Sequence, residues 1–171
     1  MDLHILTTGG TIDKVYFDAK SAFEVGQPLV ADILETAGVA ISYEVEVLMQ
    51  KDSLDITEAD RALIAARIRA SPARRILVTH GTDTMADTAR AVARELGADA
   101  ETTVVFVGSL APARFKSSDA EFNVGFACAA VQALPPGVYV AMNGRAFDAT
   151  QVRKNRKQNR FEAVEAPAPT T

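Results

Sequence analysis

The sequence is poor in the residues on which metal, thiol and imidazole chemistry depend. It holds one cysteine and two histidines in 171 residues, and no tryptophan. The lone Cys128 excludes a disulfide within the chain and cannot build a metal site. Its place in the apolar stretch 126–131 marks it as a small core residue rather than a reactive thiol. His4 and His80 fall on different strand-like runs, so no metal and no cofactor are expected. Without a histidine beside each hydroxyl, a Ser-His-Asp triad is not expected either. Positive charge is also short: 18 Lys and Arg stand against 22 Asp and Glu, a net charge of −4, which gives no reason to expect nucleic acid as a partner. No apolar run approaches the roughly 20 residues of a membrane-spanning helix. Met1-Asp2 leads straight into a strand-like run with no cleavage-site pattern, so no membrane partner is expected and the location is expected to be cytoplasmic.

What is present is an ordinary globular composition, 48% hydrophobic and 23% charged. The length suits one domain, placed here at 1–161, with the Ala/Pro/Thr-rich 162–171 as a flexible tail. Apolar runs at 3–7, 43–48, 75–79, 103–108 and 138–142 read as five strands. The last three are continuous Val/Ile/Leu/Phe runs, as in strands covered on both faces. The run 43–48 alternates, with Val45 and Val47 against Glu44 and Glu46, and is placed at a sheet edge. Between the runs lie helical periods at 27–37, 57–70, 83–96 and 119–133. The third puts Met85, Ala89, Val92 and Leu96 on one face; the fourth puts Phe122, Phe126, Ala129, Ala130 and Ala133 on one face. Strand and helix alternate, so the expected fold is α/β, a flavodoxin- or Rossmann-like three-layer sandwich with a mostly parallel five-stranded sheet. The segment 13–26 starts no helix and reads as a hairpin or loop over the end of the sheet.

In an open parallel sheet, ligands bind beyond the carboxyl ends of the strands. Small hydroxylic residues, glycines and two acids collect there: Thr8-Gly9-Gly10-Thr11, Asp52-Ser53, His80-Gly81-Thr82-Asp83-Thr84, Gly108-Ser109 and Asn143-Gly144. This rim suits a small polar, zwitterionic molecule. It lacks a G-x-G-x-x-G or Walker pattern, which argues against a nucleotide. His80 reads as a structural residue at a strand end. What remains is a hydroxyl nucleophile activated by Tyr or Lys, with Lys154 and Asp83 as a coupled pair if the tail folds back over the rim. Each residue also has a plainer reading. Thr82 and Asp83 could be helix caps, Gly9-Gly10 a tight turn, Ser53 a loop hydroxyl and Lys154 a solvated charge.

Thr7-Thr8-Gly9-Gly10-Thr11-Ile12 resembles the first signature of the bacterial-type L-asparaginases, and Thr79-His80-Gly81-Thr82-Asp83-Thr84-Met85 resembles the second. Ser53-Leu54-Asp55-Ile56-Thr57, the loop Val107-Gly108-Ser109-Leu110-Ala111-Pro112 and the stretch ending in Val152-Arg153-Lys154 resemble further family segments. The resemblance spans about residues 3–154. It implies hydrolysis of the side-chain amide of L-asparagine to L-aspartate and ammonia through a threonine acyl-enzyme, with no cofactor. Thr11 would be the primary nucleophile. Thr82, Asp83 and Lys154 would form a second cluster, in which Lys154 holds Thr82 in a nucleophilic or water-activating state. Asp83 would also take the substrate ammonium and Ser53 its carboxylate. Gly10 and Ser109 complete the substrate-binding set. The backbone N–H of Thr82 would contribute to an oxyanion hole. The residues alone leave open which threonine attacks first.

Two departures from the family pattern stand out. The family carries a tyrosine just before a Val-Gly pair in the segment after the first signature. Here the matching position, ahead of Val25-Gly26, is Phe23, which cannot relay a proton. Tyr16, earlier in the same segment, is expected to take over. Family members of usual length also carry a second domain after the lysine, and a neighbouring subunit's copy completes the substrate site. The present sequence ends at Thr171. The expectation is a homo-oligomer, at least a dimer, with the basic stretch 153–160 of a neighbour as one means of closing the site. The alternatives are a hydrolase of another amide or an ammonia-supplying subunit, and a non-catalytic amino-acid-binding or regulatory relative.

Overall fold

The computed structural model describes residues 1–17, 22–98 and 100–164. Its central sheet is built from β1 (Leu3–Gly9), β4 (Tyr43–Lys51), β5 (Arg75–Thr79), β6 (Thr103–Val107), β7 (Gly137–Met142) and β8 (Arg145–Asp148), in the order β4-β1-β5-β6-β7-β8. The first five of these strands are parallel and β8 is antiparallel. Four helices cover it: α1 (Val30–Thr36), α2 (Glu58–Ala70), α3 (Met85–Leu96) and α4 (Ala120–Ala133). α2 lies beside α3 and α1 beside α4, which makes the two outer layers. Two hairpins stand apart, β2 (Lys14–Phe17) with β3 (Ala22–Val25), and β9 (Val152–Asn155) with β10 (Arg160–Ala163).

The strands form where the sequence is continuously apolar. Every residue of β1 and β6 is buried, and so are the last four of β5. Ile5, Leu6, Ile76, Leu77, Val104, Val105 and Phe106 are fully enclosed. Each such side chain contributes about 1.5–3 kcal/mol of burial, an upper figure because the unfolded chain already hides some surface. The alternating β4 lies at the sheet edge, as its pattern predicts. α2 starts with a full capping box: the Thr57 hydroxyl accepts from the Asp60 N–H, and the Asp60 carboxylate accepts from the Thr57 N–H at 2.8 Å.

The fold differs from the sequence expectation in three places. The central sheet has six strands rather than five, because the chain reverses at Asn143 (φ 55) and Gly144 (φ 72) to add β8. An Asn-Gly pair is the usual signal for such a tight hairpin. Second, α4 buries Asn123, Val124, Ala127, Cys128, Ala130 and Val131; of the face expected, Ala130 is buried and Phe126 packs partly against the core, while Ala129 and Ala133 are exposed and Phe122 is 63% exposed. The polar Asn123 is accommodated because its amide donates to the Gly108 carbonyl at 3.1 Å and to Asp119 at 2.7 Å. Third, the region after Gly144 is ordered into β8, β9 and β10. β10 continues to Ala163, past the boundary expected at 161, and residues 165–171 of the expected tail lie outside the described residues.

Candidate active site

The parallel order β4-β1-β5-β6-β7 reverses direction beside β1, and the loops after β1 and β5 meet at that point. Gly10 (φ 95) lets them touch: a Cβ there would lie 2.3 Å from the Gly81 nitrogen. A Cβ on Gly81 would in turn lie 2.7 Å from both Cβ and Oγ of Ser53, in the loop after β4. Three strand ends are thereby drawn into one spot, with Thr11 and Thr82 each one residue beyond a contacting glycine. Cross-ties fix the arrangement. The Thr8 hydroxyl donates to the Thr79 carbonyl at 2.8 Å, and the Thr84 hydroxyl donates to the Ser53 carbonyl at 2.6 Å.

Lys154 reaches this spot from the far end of the chain. Its amine donates to the Thr82 hydroxyl at 2.8 Å and to the Asp83 carboxylate at 2.9 Å. β9 places it there by strand alternation. The Lys154 side chain is 12% exposed, whereas that of Arg153 is 65% exposed and pairs with Glu162. The hairpin is held by buried Val152 and Phe161, by Arg90 donating to the Val152 carbonyl at 3.1 Å, and by the Phe161 N–H donating to the Asn143 side chain at 2.9 Å. The fold-back on which a Lys154–Asp83 pair depended is therefore present. The capping alternative for Thr82 and Asp83 fails, because α3 starts at Met85 with Thr84 as its N-cap. A half-open carboxylate (Asp83), a buried hydroxyl (Thr82) and an amine between them can bind an ammonium and move a proton at the hydroxyl.

The other expected residues are distributed as follows. Ser53 is buried against Gly81, and Thr11 is half-buried beside Gly10. Ser109 is fully buried and its hydroxyl donates to the Ala111 carbonyl, so its side chain serves its own loop. Tyr16 is half exposed, and among the described residues no hydrogen bond joins it to Thr11. It pairs directly across the β2–β3 hairpin with Phe23, ring edge to ring face at 5.3 Å. His80 is enclosed, with Nδ1 2.8 Å from the Gly81 carbonyl and its ring edge toward Phe106. Burial pushes its pKa down to about 4, against the opposing Gly81 hydrogen bond, which fits the structural reading.

Two acids near the site were not singled out by sequence reasoning. Asp119 accepts from the Leu110 and Ala111 N–H groups and so shapes the Ser109 loop. Asp13, two residues beyond Thr11, is 1% exposed; burial pushes its carboxyl up to about 6, against the Leu29 hydrogen bond. An acid directly after the apolar Ile12, at the start of a segment with no helix, was the only signal available.

Residues 2–170 match the family model described as "Asparaginase, N-terminal". The chain belongs to that asparaginase family. It is 32% identical over 163 residues to a probable periplasmic L-asparaginase of Haemophilus influenzae, with 90% of this chain and 46% of that protein covered. It is 34% identical over 179 residues to a glutamyl-tRNA(Gln) amidotransferase component of Haloquadratum walsbyi, with 95% of this chain and 39% of that protein covered. Among solved structures, the thermostable L-asparaginase from Thermococcus kodakarensis superposes with a TM-score of 0.85 at 28% identity, covering 98% of this chain and 52% of that one. This asparaginase-family chain thus spans about half the length of the relatives it matches. Among the described residues, no helix is long and apolar enough to cross a membrane.

Proposed function

We propose that this chain hydrolyses the side-chain amide of L-asparagine to L-aspartate and ammonia, with a threonine as nucleophile. The observation that carries the proposal is the Lys154 amine, 2.8 Å from the Thr82 hydroxyl and 2.9 Å from Asp83. Asp83 receives the substrate ammonium and Ser53 its carboxylate, which directs the side-chain amide toward the two threonines. The Thr11 oxygen forms a bond to the amide carbon and the C–N bond breaks. The hydroxyl proton leaves on the nitrogen as ammonia, and an aspartyl ester remains. Water then adds to the ester carbon, the ester C–O bond breaks, and a proton of the water returns to the threonine oxygen. Lys154 exchanges protons with Thr82, which positions or activates the attacking water. The Thr82 N–H, with Gly10 beside it, faces the developing oxyanion. Tyr16 supplies the hydroxyl that Phe23 lacks. Ser109 holds the rim of the substrate pocket through the backbone of its loop.

The rim is open, with the Asp83 side chain 39% exposed and Tyr16, Phe23 and Phe115 each about half exposed nearby. A homo-oligomer, at least a dimer, covers it in this proposal, and the protein acts in the cytoplasm as one domain that includes all of β10. The likeness to an amidotransferase component favours a second reading, in which the same threonines cleave another amide to supply ammonia. The test is ammonia release by the purified chain from L-asparagine and from L-glutamine, with aspartate binding measured in parallel. Turnover of asparagine above glutamine supports the first reading, and turnover of glutamine alone supports the second. Aspartate binding without ammonia from either overturns both.

A further inference from the structure

Asp13 is where the chain leaves β1 and Thr11 for the β2–β3 hairpin, and one residue ties both ends of that excursion. Its N–H donates to the Gly10 carbonyl at 3.2 Å. Its carbonyl accepts from the Gly26 N–H at 2.8 Å, and its Oδ1 accepts from the Leu29 N–H at 2.9 Å. Oδ2 is buried and has no hydrogen-bond partner. A buried carboxyl with one oxygen unsatisfied is costly in its charged form, so this environment disfavours ionisation. The neighbouring ties converge on the same base: Lys14 pairs with Asp52 at 2.6 Å, and the Ala113 N–H donates to the Ile12 carbonyl at 3.0 Å.

We propose that Asp13 is a positioning residue, a clasp that holds the base of the hairpin and thereby sets where Thr11 and Tyr16 stand. Its consequence for turnover rests on the threonine chemistry proposed above; the clasp itself does not. The docked base buries the carboxyl, and loosening the base exposes it. Titratable and charged groups on the surrounding elements are Lys14, Tyr16 and Glu24 on the hairpin, Asp32 on α1, and Arg114 and Lys116 after β6. Asp52, after β4, pairs with Lys14 at the same base; the Asp13 shift comes first from burial, opposed by the Leu29 N–H. With the buried carboxyl titrating near 6 rather than 3.8, the docked base binds the proton more tightly than the loosened one. The clasp is therefore tightest in acid and weakens as pH rises through about 6.

The test is amide hydrogen exchange of residues 22–29, corrected for intrinsic rates, in wild type, Asp13→Asn and Asp13→Ala between pH 5 and pH 8. Wild-type protection at Gly26 and Leu29 is expected to fall by up to about 10-fold across this range, most of it between pH 5 and pH 6. Asp13→Asn keeps an acceptor for Leu29 and should show protection that does not vary with pH. Asp13→Ala should lose protection at every pH. The pH profile of kcat/KM for ammonia release should bend near 6 in wild type and not in Asp13→Asn. Equal pH dependence of protection in wild type and Asp13→Asn overturns the proposal, as does wild-type protection in Asp13→Ala. The exchange measurement needs no turnover, so failure of the assigned reaction would leave it decisive. If Asp13→Ala does not fold, the Asp13→Asn comparison stands alone.

Discussion

Gly10 and Gly81 touch backbone to backbone: a methyl on Gly10 would sit 2.3 Å from the Gly81 nitrogen and 2.4 Å from its Cα. That contact joins the two loops carrying Thr11 and Thr82, so it is the point at which the fold creates the site. Gly10→Ala must also adopt φ 95, a region costly for a side chain. We expect Gly10→Ala to lose at least about 100-fold in turnover while keeping its secondary structure, with about 1–3 kcal/mol of stability lost. Gly81→Ala pushes on Ser53 and should raise KM more than it lowers kcat. Gly125→Ala, in α4 with nothing within 4 Å of the new methyl, should stabilise by about 0.5–1 kcal/mol and leave turnover intact. Ammonia release and urea unfolding of the three variants check this.

Lys154 and Arg153 are adjacent in sequence and opposite in environment. Lys154→Met removes the amine shared by Thr82 and Asp83, and should lower kcat by about 10²–10⁴-fold. Arg153→Met removes an exposed ion pair worth about 0–1 kcal/mol and should stay within a few-fold of wild type. Steady-state kinetics of both variants decide whether strand alternation selects the working lysine. Equal losses would mean that it does not.

The parallel strands are legible in the sequence because burial on both faces leaves continuous apolar runs, as in Ile76–Val78 and Val104–Val107. The edge position of β4 is legible from its alternation. β8 is short, with Phe147 as its one large apolar residue, and its best signal was the turn Asn143-Gly144 rather than the strand. The buried face of α4 was misplaced because Phe122 suggests a core residue and Asn123 does not, although Asn123 has its partners in the folded chain. For the site, the glycines and hydroxyls at strand ends could be read from position alone. Within the basic run, Lys154 could be named only on condition that the tail folds back, because β9 forms by pairing with β10 and packing on α3, which no local pattern announces. Asp13 was invisible for a similar reason: its importance lies in bonds to Gly26 and Leu29, which no local pattern announces.

Tyr16 and Phe23 face each other across the hairpin at 5.3 Å, so a hydroxyl missing from one position is one strand away from the other. Tyr16→Phe should lower kcat by about 10-fold or more. Adding Phe23→Tyr to that variant should restore a large part of the loss. Full activity of Tyr16→Phe alone would remove Tyr16 from the reaction.

Stability should carry opposite pH signatures from two buried groups. The Asp13 carboxyl titrates near 6 in the folded chain against an ordinary 3.8, so its contribution is complete below about 3.8 and is lost as pH rises through 6. His80, lowered to about 4 from 6.5, contributes fully above 6.5 and loses that contribution as pH falls through 4. Each gap corresponds to about 3 kcal/mol. Urea unfolding should therefore show Asp13→Asn gaining on wild type by up to about 3 kcal/mol between pH 4 and pH 7. A difference that stays constant with pH would contradict the Asp13 assignment.

The account stands or falls on threonine chemistry. The most direct measurement is the rate of ammonia release from L-asparagine by wild type, Thr11→Ala and Thr82→Ala, each checked for folding by its unfolding transition. The account predicts release by wild type and a loss of about 10³-fold or more in each variant, as when one member of a nucleophile–base unit is removed. Wild-type rates in either folded variant would contradict it.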